Sequence, residues 1–157
     1  MSSTYLFIKH ANELLTLKGH SQQPAVKAAM NQLHVINDGA ILMKDEQIVA
    51  IGETDELLSQ FHQEINLAEI IDASGKVVMP GLVDPHTHLV YAGSREEEFN
   101  MRLNGATYME IMNNGGGIHA TTTKTRAATI DELKEESIKR LDRFLIHGVT
   151  TIEAKSG

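Results

Sequence analysis

A change of sequence pattern near residue 80 constrains the fold of this chain more than any other feature. Before it, short runs of strand-forming residues alternate with turn residues, and one short helix signal interrupts them. After it, a brief apolar run is followed by a long segment rich in glycine and asparagine, an amphipathic helix and a second apolar run. A strand, a helix and a second strand in this order form a βαβ unit. The pattern predicts a mixed α/β fold in two regions, 1–79 and 80–157.

The first region is predicted to form a small β-domain. Its strands are expected at 5–17, 39–43, 47–51, 69–72 and 76–79. Within the first of these runs, the polar interruption Lys9–Glu13 indicates a bend between two short strands. The run 39–51 indicates a hairpin with a three-residue loop at 44–46. Thr54 has the side chain of a helix N-cap, so a short helix is expected after it.

The second region has the signals of a strand, an irregular loop, a helix and a buried strand. Gly81–Asp84 is a brief apolar run, and the long segment after it indicates a functional loop. Thr129 and Glu132 have the spacing of a capping box at the start of an amphipathic helix. Gly148 can end this helix, and Val149–Ile152 predicts the second strand. One βαβ unit cannot close a barrel, so a larger fold is expected, with a small open sheet covered by the N-terminal strands as the alternative.

The composition excludes several classes of function. The chain of 157 residues has 14 Lys plus Arg against 21 Asp plus Glu, a net charge of −7, which argues against binding to nucleic acid or anionic membranes. It has no cysteine, so any metal must be held by histidine, carboxylate, carbonyl or water. No stretch is long and apolar enough for a membrane helix, and the first residues lack a secretory signal pattern. A cytoplasmic protein is expected.

Two histidines at the end of the predicted strand form the candidate chemical site. His86 and His88 are one residue apart, and alternate residues of a strand point to the same side, so both imidazoles can reach one cation. Asp84 is expected on the same side. Imidazole binds zinc, iron, copper or nickel, and a metal with an open position lowers the pKa of bound water to about 7. The chain has eight histidines, so the spacing alone is a weak signal, and surface or core histidines are the alternative.

The segment around these histidines resembles a known family. The run V-M-P-G-L-V-D-P-H-T-H-L (78–89) is similar to the first barrel strand of the metal-dependent amidohydrolase superfamily. The runs that resemble the imidazolonepropionases within it are H-T-H-L-V-Y-A-G-S-R-E-E-E-F (86–99), N-G-G-G-I (114–118), G-V-T-T-I-E-A-K-S-G (148–157) and A-N-E-L-L-T-L (11–17). The resemblance implies that residues 80–157 are the first βαβ unit of a (β/α)8 TIM-type barrel, preceded by part of a small β-sandwich-like domain.

The resemblance also implies a reaction. It implies a hydrolase that opens the ring of a small-molecule substrate, 4-imidazolone-5-propanoate, at a cyclic C–N amide bond and gives N-formimino-L-glutamate. One divalent metal, zinc or iron, would activate water and polarise the ring carbonyl. His86 and His88 match two of the metal ligands. The other ligands, a His and an Asp, and the general base belong to later strands of such a barrel, so no catalytic residue is expected within this chain.

Two further residues match substrate-binding positions of the family. Arg95 matches the arginine that binds the propionate carboxylate, a task suited to a bidentate guanidinium. Its alternative role is a solvated ion pair with one of the glutamates in Glu96–Glu98. Tyr108 matches a tyrosine of the same pocket, and helix packing is its alternative role.

These observations leave other interpretations open. The chain is expected to be the N-terminal portion of a longer enzyme and to be inactive alone, because two imidazoles leave a three-ligand catalytic site incomplete. Another amidohydrolase, which cleaves a different cyclic amide or deaminates a heterocycle, would share the two histidines but not the carboxylate site. A noncatalytic domain would use the histidines for packing or for a structural ion. The choice between zinc and iron is open, and a homodimer is compatible with the resemblance.

Overall fold

A computed structural model describes residues 4–19 and 23–156 of the chain. The chain divides into two compact units with the boundary between Pro80 and Gly81. In the two described ranges, no helix combines the length and the apolar character needed to cross a membrane. The fold is mixed α/β, as the sequence pattern predicted.

The first unit is a mixed β-sheet with short helices packed against it. Its strands are β1 (Tyr5–Leu15), β2 (Val35–Lys44), β3 (Gln47–Glu53), β4 (Ala68–Asp72) and β5 (Val77–Val78). Its helices are α1 (Thr54–Gln60), α2 (His62–Ile65) and a 3-10 helix (Lys27–Asn31). The strand order is β3-β2-β1-β4, with β5 also paired to β1. Strand β1 pairs antiparallel with β2 and parallel with β4 and β5, so it links the two sides of the sheet.

Strand β1 is continuous, so the prediction of two short strands separated by a bend is wrong. The polar interruption is a β-bulge: the register with β2 shifts between Ile8 and Ala11, and His10 has a φ of 58°. The His10 ring nitrogen Nδ1 lies 2.9 Å from Asp38 Oδ1 on β2. A bulge adds a residue without ending the strand. Its polar residues therefore resemble those of a turn when only the sequence is considered.

The predicted hairpin of β2 and β3 is confirmed, with a shorter loop. Lys44 pairs with Gln47, so two residues form the turn and not three. The first of them, Asp45, has a φ of 54°. This left-handed conformation is the one that two-residue hairpin turns require, and Asp adopts it more readily than most residues.

Thr54 begins helix α1 but is not its N-cap, which corrects the prediction. The N-cap is Glu53, which makes no side-chain capping hydrogen bond. Thr54 is fully buried. Its hydroxyl donates to the Asp38 carbonyl oxygen at 2.8 Å and accepts from the His10 N–H at 3.0 Å. The side chain therefore ties the bulge of β1 to β2, an interaction across the sheet that a local cap motif does not predict.

The first unit has a closed apolar core. Phe7 on β1, Leu42 on β2 and Leu57 on α1 belong to one buried cluster. A second cluster consists of Ala11, Leu14 and Ala73. Burial of a Phe or Leu side chain stabilises a fold by about 1.5–3 kcal/mol, so these residues account for much of the stability of the unit.

The second unit contains a parallel pair of strands and four helices in its described residues. Its elements are β6 (Leu82–Thr87), α3 (Glu96–Leu103), α4 (Tyr108–Asn113), α5 (Ile118–Ala127), α6 (Ile130–Ile146) and β7 (Val149–Ala154). Strands β6 and β7 pair in parallel, which confirms the predicted βαβ connection. The prediction of an irregular loop before α6 is wrong, because α3, α4 and α5 occupy most of that segment. Helices α3 and α5 bury no residue, so hydrophobic periodicity does not reveal them.

Helix α6 confirms the predicted capping box, but part of its apolar face is exposed to solvent. The Thr129 hydroxyl accepts from the Glu132 N–H at 3.3 Å, and the Glu132 carboxylate accepts from the Thr129 N–H at 2.8 Å. Gly148, with a φ of 83°, follows the helix end as predicted. On the apolar face, Ile130 is 82% and Leu145 is 64% exposed. Strand β7 is mostly exposed, so the prediction of a buried strand is wrong. In the described residues it pairs with β6 on one edge, and its other edge has no neighbouring strand.

Candidate active site

His86 and His88 lie where strand β6 leaves the sheet. His86 belongs to the strand and His88 follows its last residue, Thr87. Both histidines are exposed. Their ring centres are 5.8 Å apart, and the ring planes are inclined at 76°. With metal–nitrogen bonds of about 2.0–2.1 Å, two imidazoles on one ion hold their ring centres about 5–6 Å apart. The ring-centre distance therefore lies within the range found for two imidazoles on one ion.

A β-bulge contributes to this arrangement. Asp84 pairs with Ile152 and Thr87 pairs with Ala154, so β6 has one more residue than β7 between these pairs. The Thr87 carbonyl oxygen still accepts from the Lys155 N–H at 2.8 Å, which holds the end of β6 to the sheet. Bulges of this kind change the direction of side chains next to active sites. The position of the two rings therefore depends on this bulge as well as on the alternation of side chains along the strand.

Asp84 interacts with the backbone of the histidine segment. Its Oδ1 accepts a hydrogen bond from the His86 N–H at 3.0 Å, which restrains the backbone at the first histidine. Among the described residues, no group of three or more His, Cys, Asp or Glu side chains has the arrangement of a metal site. Within that part of the chain, His86 and His88 are the two candidate metal donors, and no third donor lies with them.

An arginine that the sequence analysis missed anchors the loop after His88. Arg140 Nη1 donates to the carbonyl oxygens of Leu89 and Tyr91, each at 3.0 Å. The guanidinium also lies over the Tyr91 ring, 3.8 Å from its centre, which adds a cation–π interaction. The sequence contains a signal for this position: Arg140 follows Leu133 by seven residues and precedes Phe144 by four, so the three side chains share one face of α6.

Arg95 is held by Glu98. Arg95 Nε and Nη2 both donate to Glu98 Oε2, at 2.8 and 2.6 Å. These hydrogen bonds lower the pKa of the Glu98 carboxyl and raise the pKa of the Arg95 guanidinium. The other carboxylate oxygen, Oε1, accepts from the Gly117 N–H at 2.9 Å. The structure thus shows the ion pair that was the alternative interpretation of Arg95, and connects it to the glycine-rich turn before α5.

Tyr108 lies near Arg95 and is exposed. It is the first residue of α4, and Thr107 and Glu110 fix that helix start with a second capping box. Tyr108 is 60% exposed, so helix packing is not its main role. It acts electrostatically on Arg95 in the direction that raises the pKa of the guanidinium. In the described ranges, neither side chain has a hydrogen bond or ion pair with the two histidines.

Two cavities border α6 in the second unit. The smaller, about 420 Å³, has a lining that includes Thr87, His88, Tyr91, Arg140, Phe144 and Val149. The larger, about 830 Å³, is lined mainly by residues 91–94 and charged side chains of α6. Neither of these two cavities is lined by His86, Arg95 or Tyr108. The predicted metal and substrate residues therefore do not share either of them.

Comparison with known proteins identifies the family to which the chain belongs. Residues 69–150 match the sequence profile of the Amidohydrolase family, and this range includes both histidines, Arg95 and Tyr108. The match extends over just over half of the chain. The chain belongs to the amidohydrolase family.

Individual relatives give a finer likeness. The chain is 62% identical over 152 residues to the imidazolonepropionase of Geobacillus sp. strain WCH70 and 60% identical to that of Brevibacillus brevis. Each match covers 97% of this chain and 36% of the relative, so the chain spans little more than a third of the length of these relatives. Among solved structures, a triazine hydrolase from Arthobacter aurescens superposes with a TM-score of 0.63 at 21% identity, over 96% of this chain and 28% of that one. At this identity the likeness shows the fold alone.

Proposed function

We propose that the protein hydrolyses the cyclic C–N amide bond of 4-imidazolone-5-propanoate and releases N-formimino-L-glutamate. The observation that carries the proposal is the 62% identity, over 97% of the chain, to a relative named imidazolonepropionase. Because the chain spans 36% of that relative, the activity is proposed for a polypeptide of the relatives' length, of which this chain would be the N-terminal portion. The 157 residues alone are expected to be inactive.

His86 and His88 are proposed as two ligands of one divalent ion, zinc or iron. Their ring-centre distance of 5.8 Å supports this, as does the affinity of imidazole for both metals. When bound, such an ion supplies Lewis acidity, which lowers the pKa of a water molecule and polarises the substrate carbonyl. Catalytic zinc sites use three protein ligands. The proposal therefore requires at least one further ligand from outside the described residues.

Arg95 is proposed to bind the propionate carboxylate of the substrate, with Tyr108 in the same pocket. The Arg95 side chain is 45% exposed, so the N–H groups that Glu98 does not use are accessible. These two residues would bind and orient the substrate. No general base is proposed within the described residues.

The second unit is proposed as the first βαβ unit of a (β/α)8 barrel, and the first unit as part of a small β-sandwich-like domain. The parallel pairing of β6 and β7 supports the barrel. The exposed apolar side chains of α6 support it too, because parallel strands and their helices are stable when neighbouring elements cover them. Active sites of such barrels lie at the C-terminal ends of the strands, which is where His86 and His88 lie on β6.

A cytoplasmic location and a homodimer remain predictions.

The proposal is tested first by the intact mass of the purified protein and then by an assay with 4-imidazolone-5-propanoate. A mass of 17.3 kDa corresponds to this chain alone, for which no turnover is expected. A protein of the relatives' length, loaded with zinc or iron, is expected to open the ring. Turnover by the 157-residue chain would contradict the argument from incomplete ligands. No turnover by the longer protein would contradict the proposed function.

Arg95→Ala tests the substrate assignment in the longer protein. We expect KM to rise about 100-fold with kcat changed less than about 3-fold, because a guanidinium on a remote carboxylate binds substrate and transition state alike. Arg102→Ala, which removes an exposed arginine from α3, is the matched control and should leave both constants unchanged. An unchanged KM in Arg95→Ala would mean that the natural substrate lacks this carboxylate, as in another cyclic-amide hydrolase or a deaminase.

A further inference from the structure

Glu98 connects Arg95 to the glycine-rich turn before α5. Arg95 is hydrogen-bonded to Glu98 Oε2 through both Nε and Nη2. In the turn, the Gly117 N–H donates to Glu98 Oε1. The Glu98 side chain is only 13% exposed, compared with 45% for Arg95. Glu98 is therefore the enclosed partner of the pair and Arg95 the accessible one.

The hydrogen bonds that Arg95 donates to Glu98 leave one edge of the guanidinium open. A guanidinium has five N–H groups in a rigid planar fork. The edge formed by Nε and Nη2 is occupied by a single oxygen of Glu98. The edge formed by Nη1 and Nη2 has no partner in the hydrogen bonds of Arg95 among the described residues. That edge has the geometry to bind a carboxylate through two parallel hydrogen bonds.

Glu98 is itself restrained by the turn. Gly117 has φ 75° and ψ −153°, a conformation that is essentially limited to glycine. The neighbouring Gly116 lies so close that an added Cβ would be 3.1 Å from Glu98 Cδ. Since Glu98 is fixed by its own helix α3, by Gly117 and by this close packing, it restricts the rotamers that are open to Arg95.

We propose that Glu98 is a positioning residue that fixes the Arg95 guanidinium with its Nη1–Nη2 edge available for the carboxylate of the substrate. The inference rests on the proposed function, since it takes Arg95 as the carboxylate ligand. Glu98 offsets the positive charge of Arg95, so its contribution is orientation and not attraction. Holding a flexible side chain in its binding geometry reduces the entropy that substrate binding would otherwise cost.

The test is a double-mutant cycle in the metal-loaded protein of the relatives' length. Glu98→Ala is expected to raise KM for 4-imidazolone-5-propanoate about 10-fold and to change kcat less than about 2-fold. In the Arg95→Ala background, Glu98→Ala is expected to cause no further rise, because the residue it positions is gone. Glu97→Ala is the matched control: it removes the same charge from the preceding position of α3 and should leave KM unchanged.

A second variant covers the case in which Glu98→Ala does not fold. Glu98→Gln has one acceptor oxygen in place of two, so it can keep Arg95 or Gly117 but not both, and KM should lie between wild type and a 10-fold increase, about 3-fold above wild type. An unchanged KM in the Glu98 variants would overturn the proposal. So would an equal rise of KM in the presence and absence of Arg95, which would show that Glu98 only supports the turn.

Failure of this inference is distinguishable from failure of the proposed function. If the wild-type protein opens the ring and Arg95→Ala raises KM, but the cycle is additive, the role of Glu98 alone is wrong. If the wild-type protein does not act on the substrate, the proposed function is wrong and the inference is overturned with it.

Discussion

The two units of the chain place their apolar residues differently. Of the ten buried hydrophobic residues in the described ranges, eight lie in the first unit, and two, Leu89 and Ile111, lie in the second. The second unit instead exposes large apolar side chains, including Ile130, Leu145 and Val83. All residues proposed for metal and substrate binding nevertheless belong to the second unit.

Topology explains the difference. In the first unit, a five-stranded sheet with helices against it encloses Phe7 and Leu42. In the second, the two parallel strands and the helices of the described residues provide too few neighbours to enclose a core, and part of the apolar face of α6 stays exposed. Parallel sheets are stable when both faces are covered. The first unit can therefore be tested through its own stability, and the second mainly through what it binds.

The largest effect is expected from Phe7→Ala in the core of the first unit. Loss of a fully buried phenylalanine leaves a cavity and should lower the free energy of unfolding by about 3–5 kcal/mol. Urea denaturation of the chain, followed by far-UV circular dichroism, measures the change. Phe99→Ala in the second unit is the matched control, because Phe99 is 65% exposed and its loss should cost less than about 1 kcal/mol. Equal costs for the two variants would break the comparison between the units.

A smaller effect, on binding rather than on stability, is expected from His86→Ala. Loss of a proposed ligand should weaken zinc or iron binding by more than about 100-fold, because changes to residues behind the ligands already cost about 10–100-fold. The stability of the metal-free protein should change by less than about 1 kcal/mol, since His86 is exposed. Metal titration of a protein of the relatives' length measures the affinity for the ion. Thermal unfolding of the metal-free protein measures the stability. The exposed His119 supplies the control variant, His119→Ala, which should retain its metal. Lost stability with unchanged metal binding would favour packing histidines.

Thr54→Val sharpens the comparison at a buried polar contact. The substitution keeps the shape but removes the hydroxyl, so the Asp38 carbonyl oxygen and the His10 N–H both lose their hydrogen bond to Thr54. We expect a loss of about 1–3 kcal/mol, measured by urea denaturation. Thr123→Val on the exposed side of α5 controls for the replacement of a hydroxyl by a methyl group and should be nearly neutral. A neutral Thr54→Val would mean that the bulge in β1 does not depend on this hydroxyl.

The smallest effect is expected at the capping boxes of the second unit, at the starts of α4 and α6. In the first unit, helix α1 has no side-chain capping hydrogen bond. Hydrogen bonds from Thr129 lower the pKa of Glu132 from its ordinary 4.5. A lowered pKa in the folded state means that the stabilisation is fully present above about 4.5 and is lost as pH falls through the lowered value. The protection of backbone amides at the start of α6 against hydrogen exchange, relative to their intrinsic exchange rate at each pH, should therefore fall in acid.

Glu132→Gln should reduce this acid sensitivity, because the amide does not titrate. Glu53→Gln at the uncapped start of α1 is the control and should leave exchange in α6 unchanged. The same acid response in wild type and Glu132→Gln would show that the capping box is not its source.

The features that the sequence predicted correctly depend on residues close to one another in the chain. The capping box of Thr129 and Glu132 and the hairpin that turns at Asp45 are examples. The bulge at His10 has the sequence pattern of a bend, because the hydrogen bond that distinguishes it joins the His10 ring to Asp38 on another strand. Arg140 was missed for the same reason: its partners lie about fifty positions away in the chain.

By itself, the sequence determined the two-region pattern, the presence of imidazole rather than thiolate as the candidate metal donor, and the family resemblance around His86 and His88. Only the tertiary structure decided that Glu98 rather than Glu96 or Glu97 holds Arg95, because that choice also depends on the distant Gly117 N–H. Only the tertiary structure decided the distance between the two rings, because a register shift against β7 sets the path of β6. Short-range spacing specifies which groups are available, and long-range hydrogen bonds fix where they point.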